Sequence, residues 1–268
     1  KKIERLLQER DLDRNDLALM RFEYERARHL AGQKEFRAAR SKLESLLDND
    51  LPRDFAARVQ YELGREYVIM NEYEQAVDLL TQVTVDYPES DVLSRVYVTL
   101  GTVYYEQEQP QLAIEAFRSS LDYASDPEYR QAAMRNLIKL YDENGLFDAA
   151  AAMARDYAGQ FPNAEDRFSV RIQIGTFLMR MHEYDRAIDH LTGLLREADA
   201  ATASEVQFWI AESYFNQNQY ERAIAEYLKI PYMNPPTKLD WAASALWKAG
   251  NAYERLGKSS RAIQLYER

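Results

Sequence analysis

The sequence predicts an all-α protein, an α-solenoid of about seven antiparallel helix pairs, and three observations support this. The first is an alanine that recurs along the chain at spacings of 36 to 39 residues. It occupies Ala39, Ala76, Ala113, Ala150, Ala187, Ala223 and Ala262. The second is a small residue that keeps a fixed distance from this alanine. The third is the low content of turn formers, 9 Gly and 8 Pro in 268 residues, which argues against an all-β chain.

The residues around the periodic alanine repeat in chemical type. Twelve positions before it, a small residue stands in six of seven units, with Ile138 as the exception; these are Ala27, Gly64, Gly101, Gly175, Ala211 and Gly250. Four positions after it stands a large residue, which is Leu43, Leu80, Phe117, Leu191, Tyr227 or Tyr266. Small side chains let two helices approach closely. We therefore expect the large residue of each second helix to pack on the small residue of the first.

The predicted repeats cover nearly all of residues 1–268 as a single solenoid segment. Their approximate bounds are 17–52, 57–90, 94–127, 131–164, 168–201, 204–238 and a truncated 240–268. Proline ends several units, at Pro88, Pro162 and Pro235. The first residues, 1–11, resemble the second helix around Lys42 and predict a partial helix. We therefore expect a segment of a longer repeat protein.

Composition excludes several classes of function. Lys and Arg number 34 against 44 Asp and Glu, and a net charge of −10 opposes general nucleic-acid binding, which needs a basic surface. No apolar run is long enough to span a membrane, so no transmembrane segment is predicted. The absence of cysteine excludes disulfides, thiolate metal sites and cysteine nucleophiles.

No catalytic or metal-binding constellation emerges from the motifs. The three histidines, His29, His182 and His190, lack the spacing of a zinc site. The segment 11–22 begins like a calcium loop with Asp11, Asp13 and Asn15, but it lacks the required Gly and the final Glu. A connection between helices is the favoured interpretation. The sequence therefore predicts a protein that is not an enzyme and needs no cofactor and no metal.

The phrase Leu-Gly-x-x-Tyr, seen at Leu63, Gly64 and Tyr67 and again from Leu100, precedes the periodic alanine by a constant distance. Together with the closing prolines, it resembles the signature of the tetratricopeptide repeat (TPR) family. The period is longer than the usual ~34 residues, and of the first aromatic only Tyr97 is kept. The resemblance implies a right-handed superhelix in which the first helix of each pair lines a concave groove.

On those first helices, the positions that the resemblance places in the groove are basic in the first four units. In each unit these positions lie six before, three before and one after the small residue. Over four units they make twelve positions, which hold seven cations and no acidic residue. The cations are Arg21, Arg28, Arg58, Arg65, Arg95, Arg135 and Lys139, and Tyr24 and Tyr61 stand among them. Such a groove would bind an acidic peptide or a terminal carboxylate through paired arginine hydrogen bonds. The alternative is that these arginines pair with glutamates of the same helices, such as Glu25 and Glu62.

The later units read as apolar and acidic at the same positions. Most aromatic side chains there fall in packing positions and are expected in the core. A secondary aromatic patch is predicted from Phe208, Phe215 and Trp247.

The function predicted is a non-catalytic protein–protein interaction scaffold that holds partner segments, acidic peptides among them. An alternative is a helical scaffold segment of a larger enzyme or of a secretion or assembly machine whose active domain lies outside this chain. Self-assembly through the repeat ends is a third possibility. The repeats around 86–91 and 211–227 are similar in style to TPR units of bacterial cell-envelope proteins, which implies the periplasm, with the cytoplasm as the alternative.

Overall fold

The computed structural model describes residues 17–123, 126–199, 202–232 and 241–267. These residues form fourteen α-helices and one short 3₁₀ helix, Ile230–Tyr232, and this described part contains no strand. The all-α prediction is therefore confirmed. The chain falls into two compact units, Lys1–Leu137 and Ile138–Arg268, which we call unit 1 and unit 2.

The helices alternate with short turns. Those that begin in unit 1 are α1 Leu17–Gly32, α2 Phe36–Leu47, α3 Arg53–Ile69, α4 Tyr73–Asp86, α5 Leu93–Glu106, α6 Pro110–Tyr123 and α7 Pro127–Glu143. The remaining helices are α8 Phe147–Gln160, α9 Arg167–Arg180, α10 Tyr184–Leu195, α11 Ala203–Asn216, α12 Tyr220–Tyr227, α13 Trp241–Arg255 and α14 Ser259–Tyr266.

Each second helix buries one face, and α4 is an example. Its buried residues are Ala76, Leu80 and Val83, which lie three to four positions apart and so form one stripe on the helix. The periodic alanine is fully buried in every unit, as at Ala39 and Ala262. The alanine that recurs in the sequence therefore marks a buried position that recurs in the core.

The turn inside each pair is built in the same way seven times. A residue with positive φ stands five positions before the periodic alanine: Lys34, Asn71, Glu108, Gly145, His182, Asn218 and Gly257. In the second pair the N–H of Glu72 donates to the carbonyl of Tyr67 at 2.9 Å, and the N–H of Asn71 donates to that of Val68 at 3.0 Å. This is the Schellman arrangement, which satisfies the last carbonyls of the first helix.

The glycine of the first helix lies against the large residue of the second in the four pairs that have glycine at the small position, as predicted. A Cβ added at Gly64 would lie 2.6 Å from Leu80, and one added at Gly101 would lie 2.8 Å from Phe117. Gly175 and Leu191 repeat this relationship at 2.6 Å. Only glycine permits the two helices to approach this closely.

Within each unit, consecutive helices contact each other, and first helices also contact the next first helix. In unit 1, α1 packs on α2 and α3, and α3 packs on α4 and α5. In unit 2, α11 packs on α12 and α13. First helices thus lie side by side, which brings their exposed residues onto one surface within each unit.

Several predictions fall on residues outside the described part of the chain. They are the partial helix at 1–11, the calcium-loop residues Asp11, Asp13 and Asn15, and the terminator Pro235. The predicted repeat boundaries stay a prediction.

Candidate protein-binding surface

Three neighbouring first helices of unit 1 and the start of α7 carry a cluster of arginine and tyrosine side chains. We call this cluster the unit 1 basic surface and define it as Tyr24, Arg28, Arg58, Tyr61, Arg65, Arg95 and Tyr129. These residues lie on α1, α3, α5 and α7. All but Tyr129 were predicted from the sequence. The surface therefore combines cations with aromatic faces.

A buried carboxylate joins two of these arginines. Glu62 Oε2 accepts a hydrogen bond from Arg65 Nη1 at 2.8 Å, and Glu62 Oε1 lies 3.9 Å from Arg28 Nε. The Glu62 side chain is only 9% exposed, whereas the two arginines are about half exposed. Arg28 also pairs with the exposed Glu25 at 3.3 Å. The alternative in which the arginines pair with neighbouring glutamates thus holds for these two side chains.

Arg95 is held differently. Its guanidinium lies 5.4 Å from the ring centroid of Tyr61 and 5.9 Å from that of Tyr129. No carboxylate of the described residues pairs with it. The faces of two tyrosine rings stabilise a cation through their quadrupoles while leaving its N–H groups available for hydrogen bonds. Arg95 is therefore the cation of this surface that is positioned but not neutralised.

The tyrosines are part of the packing as well as of the surface. Tyr24 meets Phe55 edge to face at 5.4 Å, and Tyr61 is 4% exposed. Burial raises the pKa of Tyr24 to about 12, with the charge of Glu62 adding to the effect and Arg28 opposing it. Burial likewise raises the pKa of Tyr61 to about 12, against the attraction of Arg65. Both phenols stay neutral throughout the physiological range.

The other predicted cations have separate surroundings. Arg58 Nη2 donates to Asp91 Oδ2 at 2.7 Å, and this hydrogen bond raises the arginine's pKa. Arg21 is exposed on α1. Arg135 is exposed on α7 and has an interaction partner. Lys139 belongs to unit 2, where its ammonium lies 3.9 Å from Glu143. The structure thus brings together Arg28, Arg58, Arg65 and Arg95, with the tyrosines between them.

In unit 2, the predicted aromatic patch divides into one core residue and two surface residues. Phe208 is 8% exposed and packs on Tyr227 and Trp241, with ring centroids 5.6 Å and 5.1 Å away. Phe215 and Trp247 instead line one cavity of about 510 Å³. Phe208 is therefore a packing residue in this structure, and Phe215 and Trp247 lie at the surface.

The two units carry the same contact between neighbouring repeats with the charges exchanged. In unit 1 the residue after Ala27 is Arg28, and it meets Glu62, two positions before Gly64. In unit 2 the residue after Ala211 is Glu212, and its Oε1 lies 2.8 Å from Nζ of Lys248, two positions before Gly250. Both positions can be found in the sequence. Which side chains pair across the repeats depends on their rotamers, and the repeat pattern does not determine these.

Other kinds of site are not formed by the described residues. Among the described residues, no group of three histidine, aspartate or glutamate side chains could hold a metal ion. None of the helices described is long and apolar enough to cross a membrane.

Profiles of known families match most of this chain. One profile described as tetratricopeptide repeat matches residues 98–165 and 173–236, and a second of the same description matches 244–268. The chain belongs to the tetratricopeptide repeat family. TPR folds commonly mediate protein–protein interactions, and the family is generally non-catalytic. No curated protein gives a significant match.

Solved structures of TPR proteins share the fold. A tetratricopeptide repeat protein from Parabacteroides merdae ATCC 43184 is 14% identical with a TM-score of 0.53, and the alignment covers 92% of this chain and 91% of that one. A chain in the structure of Naa15/Naa10 bound to HypK-THB is 12% identical with a TM-score of 0.67, over 92% of this chain and 36% of that one. MamA from Desulfovibrio magneticus RS-1 is 15% identical with a TM-score of 0.50, over 65% and 91%. At these identities the likeness shows the fold alone.

Proposed function

We propose that this TPR protein is a non-catalytic interaction scaffold, and that the unit 1 basic surface binds an acidic segment of a partner protein. The observation that carries the proposal is the placement of Arg95 between the rings of Tyr61 and Tyr129 with no carboxylate of the described residues against it. A cation held in this way is preorganised for an anionic ligand.

The position of Arg95 among the charges of the surface supports an acidic ligand. Four arginines, Arg28, Arg58, Arg65 and Arg95, meet three carboxylates, those of Glu25, Glu62 and Asp91. Glu66 beside Arg65 and Asp54 near Arg58 add two further carboxylates, so the attraction for an acidic chain comes from Arg95, which has no carboxylate of the described residues against it. A cation that is not neutralised attracts an acidic chain to this place on a protein whose net charge is −10.

The shape of the guanidinium supports a carboxylate as the group recognised. Arginine presents parallel N–H donors that match both oxygens of a carboxylate, and its flat faces remain free to stack on aromatic rings. Arg95 uses its faces on Tyr61 and Tyr129, so its N–H edge is the part that remains for a ligand. The neutral, half-buried phenol of Tyr24 adds a hydrogen-bond group without adding negative charge, whereas Tyr61 is buried and contributes its ring to the packing of Arg95.

A labelled oligoglutamate peptide tests the proposal by fluorescence anisotropy. We expect binding to the wild-type protein that weakens as salt rises, because exposed charges are screened over about 8–10 Å at physiological ionic strength. Arg95→Gln keeps a polar side chain but removes the charge and the guanidinium. We expect it to weaken binding about tenfold, which corresponds to the loss of one charge-assisted contact.

Arg118→Gln is the matched control, since Arg118 is an exposed arginine on the second helix α6. It removes the same net charge at a place outside the surface, so we expect less than about twofold weakening, which is the effect of net charge alone. Equal losses in the two variants would show that only the overall charge matters. Binding of oligolysine as tight as that of oligoglutamate would also contradict the proposal.

A further inference from the structure

A second group of basic side chains lies in unit 2, and the proposed function does not use it. We call it the unit 2 basic cluster and define it as Arg155, Arg167, Arg171 and His190. Arg155 lies on the second helix α8, His190 on the second helix α10, and the other two on the first two turns of α9. The unit 1 basic surface, in contrast, lies on first helices. Further helix pairs precede and follow the cluster in the chain, so it belongs to the interior of the repeat array.

Contacts between the three helices bring these side chains together. Arg167 Nε donates to the carbonyl of Ala158 at 2.9 Å, and Arg155 lies one turn before Ala158 on α8. Arg171 lies one turn after Arg167 on α9, and Nε2 of His190 donates to the carbonyl of Arg171 at 2.7 Å. The four residues therefore occupy one place, at which α9 packs on α8 and α10.

Two of the three arginines have no acidic partner. Arg171 is paired, because its guanidinium donates to both carboxylate oxygens of Glu197, at 2.5 Å and 2.8 Å. No carboxylate of the described residues forms an ion pair with Arg155 or Arg167, and the Nη groups of Arg167 have no acceptor among them. Arg155 is exposed and Arg167 is half-buried. Their free N–H groups are therefore available to a ligand.

The other carboxylates close in sequence face elsewhere or are engaged. Asp156 and Asp189 each adjoin a residue of the cluster, and one step along a helix is a rotation of about 100°. Asp166 precedes Arg167 and accepts a hydrogen bond from the hydroxyl of Tyr157 at 2.5 Å. These carboxylates reduce the positive charge around the cluster but leave its two guanidiniums unpaired.

The imidazole of His190 senses the charges of the cluster. Burial lowers the pKa of His190 below its ordinary value of 6.5, and the charges of Arg171 and Arg155 lower it further. The hydrogen bond to the backbone and the charge of Glu197 oppose the effect. The ring is thus neutral at pH 7, and an anion bound beside it would favour its protonated form.

One repeat earlier, the same place lacks half of the cluster. Arg130 Nη2 donates to the carbonyl of Leu121 at 3.0 Å, and Arg118 lies one turn before Leu121. The positions of the other two cluster residues are filled there by Met134 and Met153. An arginine on the preceding helix end is thus a packing feature of both repeats, whereas the added arginine and histidine are particular to unit 2.

A phosphate monoester matches the two unpaired guanidiniums. Its charge is about −1.5 to −2 at pH 7, and its three acceptor oxygens can accept hydrogen bonds from two arginines at once. A carboxylate has two oxygens and a single charge, so it would neutralise only one of Arg155 and Arg167. Charge complementarity therefore favours a phosphate.

We propose that the unit 2 basic cluster binds a phosphorylated serine or threonine of a partner protein, with Arg155 and Arg167 donating to the phosphate oxygens. The inference rests on the proposed role as an interaction scaffold, but it uses other helices and another ligand chemistry than the unit 1 basic surface. Phosphorylation of the partner would then strengthen its attachment to the scaffold.

The ring signals of the three histidines, His29, His182 and His190, report on the site by two-dimensional NMR. The His190→Gln variant assigns the His190 signal by its disappearance. The probes are inorganic phosphate and three blocked tripeptides with glycine on each side of a central phosphoserine, serine or aspartate. At pH 7 we expect the phosphoserine peptide and phosphate to shift the His190 signal with saturation, and the serine and aspartate peptides to leave it unchanged. The pKa of His190 should rise when the phosphoserine peptide is bound.

Two variants complete the experiment. Arg155→Gln removes one unpaired guanidinium and should weaken binding of the phosphoserine peptide about tenfold. Arg118→Gln is the matched control, because it removes the equivalent arginine of the preceding repeat, and it should weaken binding less than about twofold. Circular dichroism checks that both variants keep the helical content.

The inference is overturned if the phosphoserine peptide leaves the His190 signal unchanged, or if the aspartate peptide shifts it as strongly. Equal weakening by Arg155→Gln and Arg118→Gln would overturn it as well. Inorganic phosphate that binds more than about tenfold tighter than the peptide would also do so, because the cluster would then exclude an esterified phosphate. Arg95→Gln separates this result from the proposal for unit 1. It should weaken oligoglutamate and keep the phosphoserine peptide, so that either site can fail without the other.

Discussion

Gly101 lies so close to Phe117 that a Cβ added to the glycine would be 2.8 Å from the nearest ring carbon. Phe117 is 2% exposed, so its ring is enclosed by the protein. The contact joins α5 to α6 inside one pair, and the same contact recurs in other pairs. The close approach of the two helices is therefore a property of the repeat.

Gly101→Ala should lower the free energy of unfolding by about 2–3 kcal/mol, because the added methyl overpacks a buried contact. Gly193→Ala on α10 is the control, since a Cβ there meets nothing within 4 Å. It should raise the free energy of unfolding by about 0.5–1 kcal/mol through helix propensity. Urea unfolding followed by circular dichroism measures both, and a neutral Gly101→Ala would contradict the packing described.

The turn residue Glu108 has φ of 58° without being glycine. This conformation brings Cβ close to the backbone and costs about 1–2 kcal/mol. Glu108→Gly should therefore stabilise the protein by about 1 kcal/mol. Gln107→Gly, at a neighbouring residue with φ of −85°, should destabilise it or leave it unchanged. Thermal unfolding compares the two, and equal responses would show that the left-handed turn is not under strain.

Glu66 is 3% exposed, and its Oε2 atom has no hydrogen-bond partner. Burial raises the pKa of this carboxyl above its ordinary value of 4.5, and Arg65 opposes the effect. Because the folded-state pKa is raised, the ionised carboxylate costs stability above that pKa, and the cost vanishes as the pH falls below 4.5. Glu66→Gln should thus stabilise the protein at pH 7 by about 1 kcal/mol.

The pH dependence is the decisive part of this prediction. The gain from Glu66→Gln should be complete above the raised folded-state pKa of this carboxyl and should shrink as the pH falls through that pKa towards about 4.5. Glu115→Gln, at an exposed glutamate of α6, corrects for the change in net charge and should show no comparable gain. A gain that persists unchanged at acid pH would mean that ionisation of Glu66 is not its cause.

Glu62 is the buried partner of Arg65 and Arg28. Glu62→Gln should lower the free energy of unfolding by about 1–2 kcal/mol, since it removes a buried charge-assisted hydrogen bond while its partners stay half exposed. Glu25→Gln removes an exposed partner of Arg28, 64% accessible, and should change stability by less than about 0.5 kcal/mol. Chemical denaturation distinguishes the two, and a neutral Glu62→Gln would argue against a structural role for the pair.

The sequence predicted the fold because packing in this protein is periodic. A buried alanine recurs in all seven second helices and a small residue in six of the seven first helices, so Ala76 and Gly64 carry the pattern in the sequence itself. The conformation of the turns was harder to predict from the sequence. Gly145 and Asn71 suit a positive φ, but Glu108 and His182 adopt it because the helices on either side fix the turn.

The candidate site was predicted in its positions and not in its contacts. Helical spacing placed Arg28, Arg65 and Arg95 on neighbouring helices, but whether an arginine pairs with Glu62 or stacks on Tyr61 depends on rotamers. Phe208 and Trp247 occupy equivalent positions three before the small residue. Phe208 is covered by Trp241 of the following pair, whereas Trp247 is exposed, and the repeat pattern alone does not separate them.

The affinity of oligoglutamate for Arg95→Gln and for Glu62→Gln, compared with wild type at low salt, tests the central claim most directly. The first variant removes a cation from the unit 1 basic surface, and the second removes the anion that pairs with Arg28 and Arg65 of that surface. If an acidic segment binds there, the first should weaken binding about tenfold and the second should strengthen it about threefold. Changes of the same sign in both variants, or no change in either, would contradict the claim.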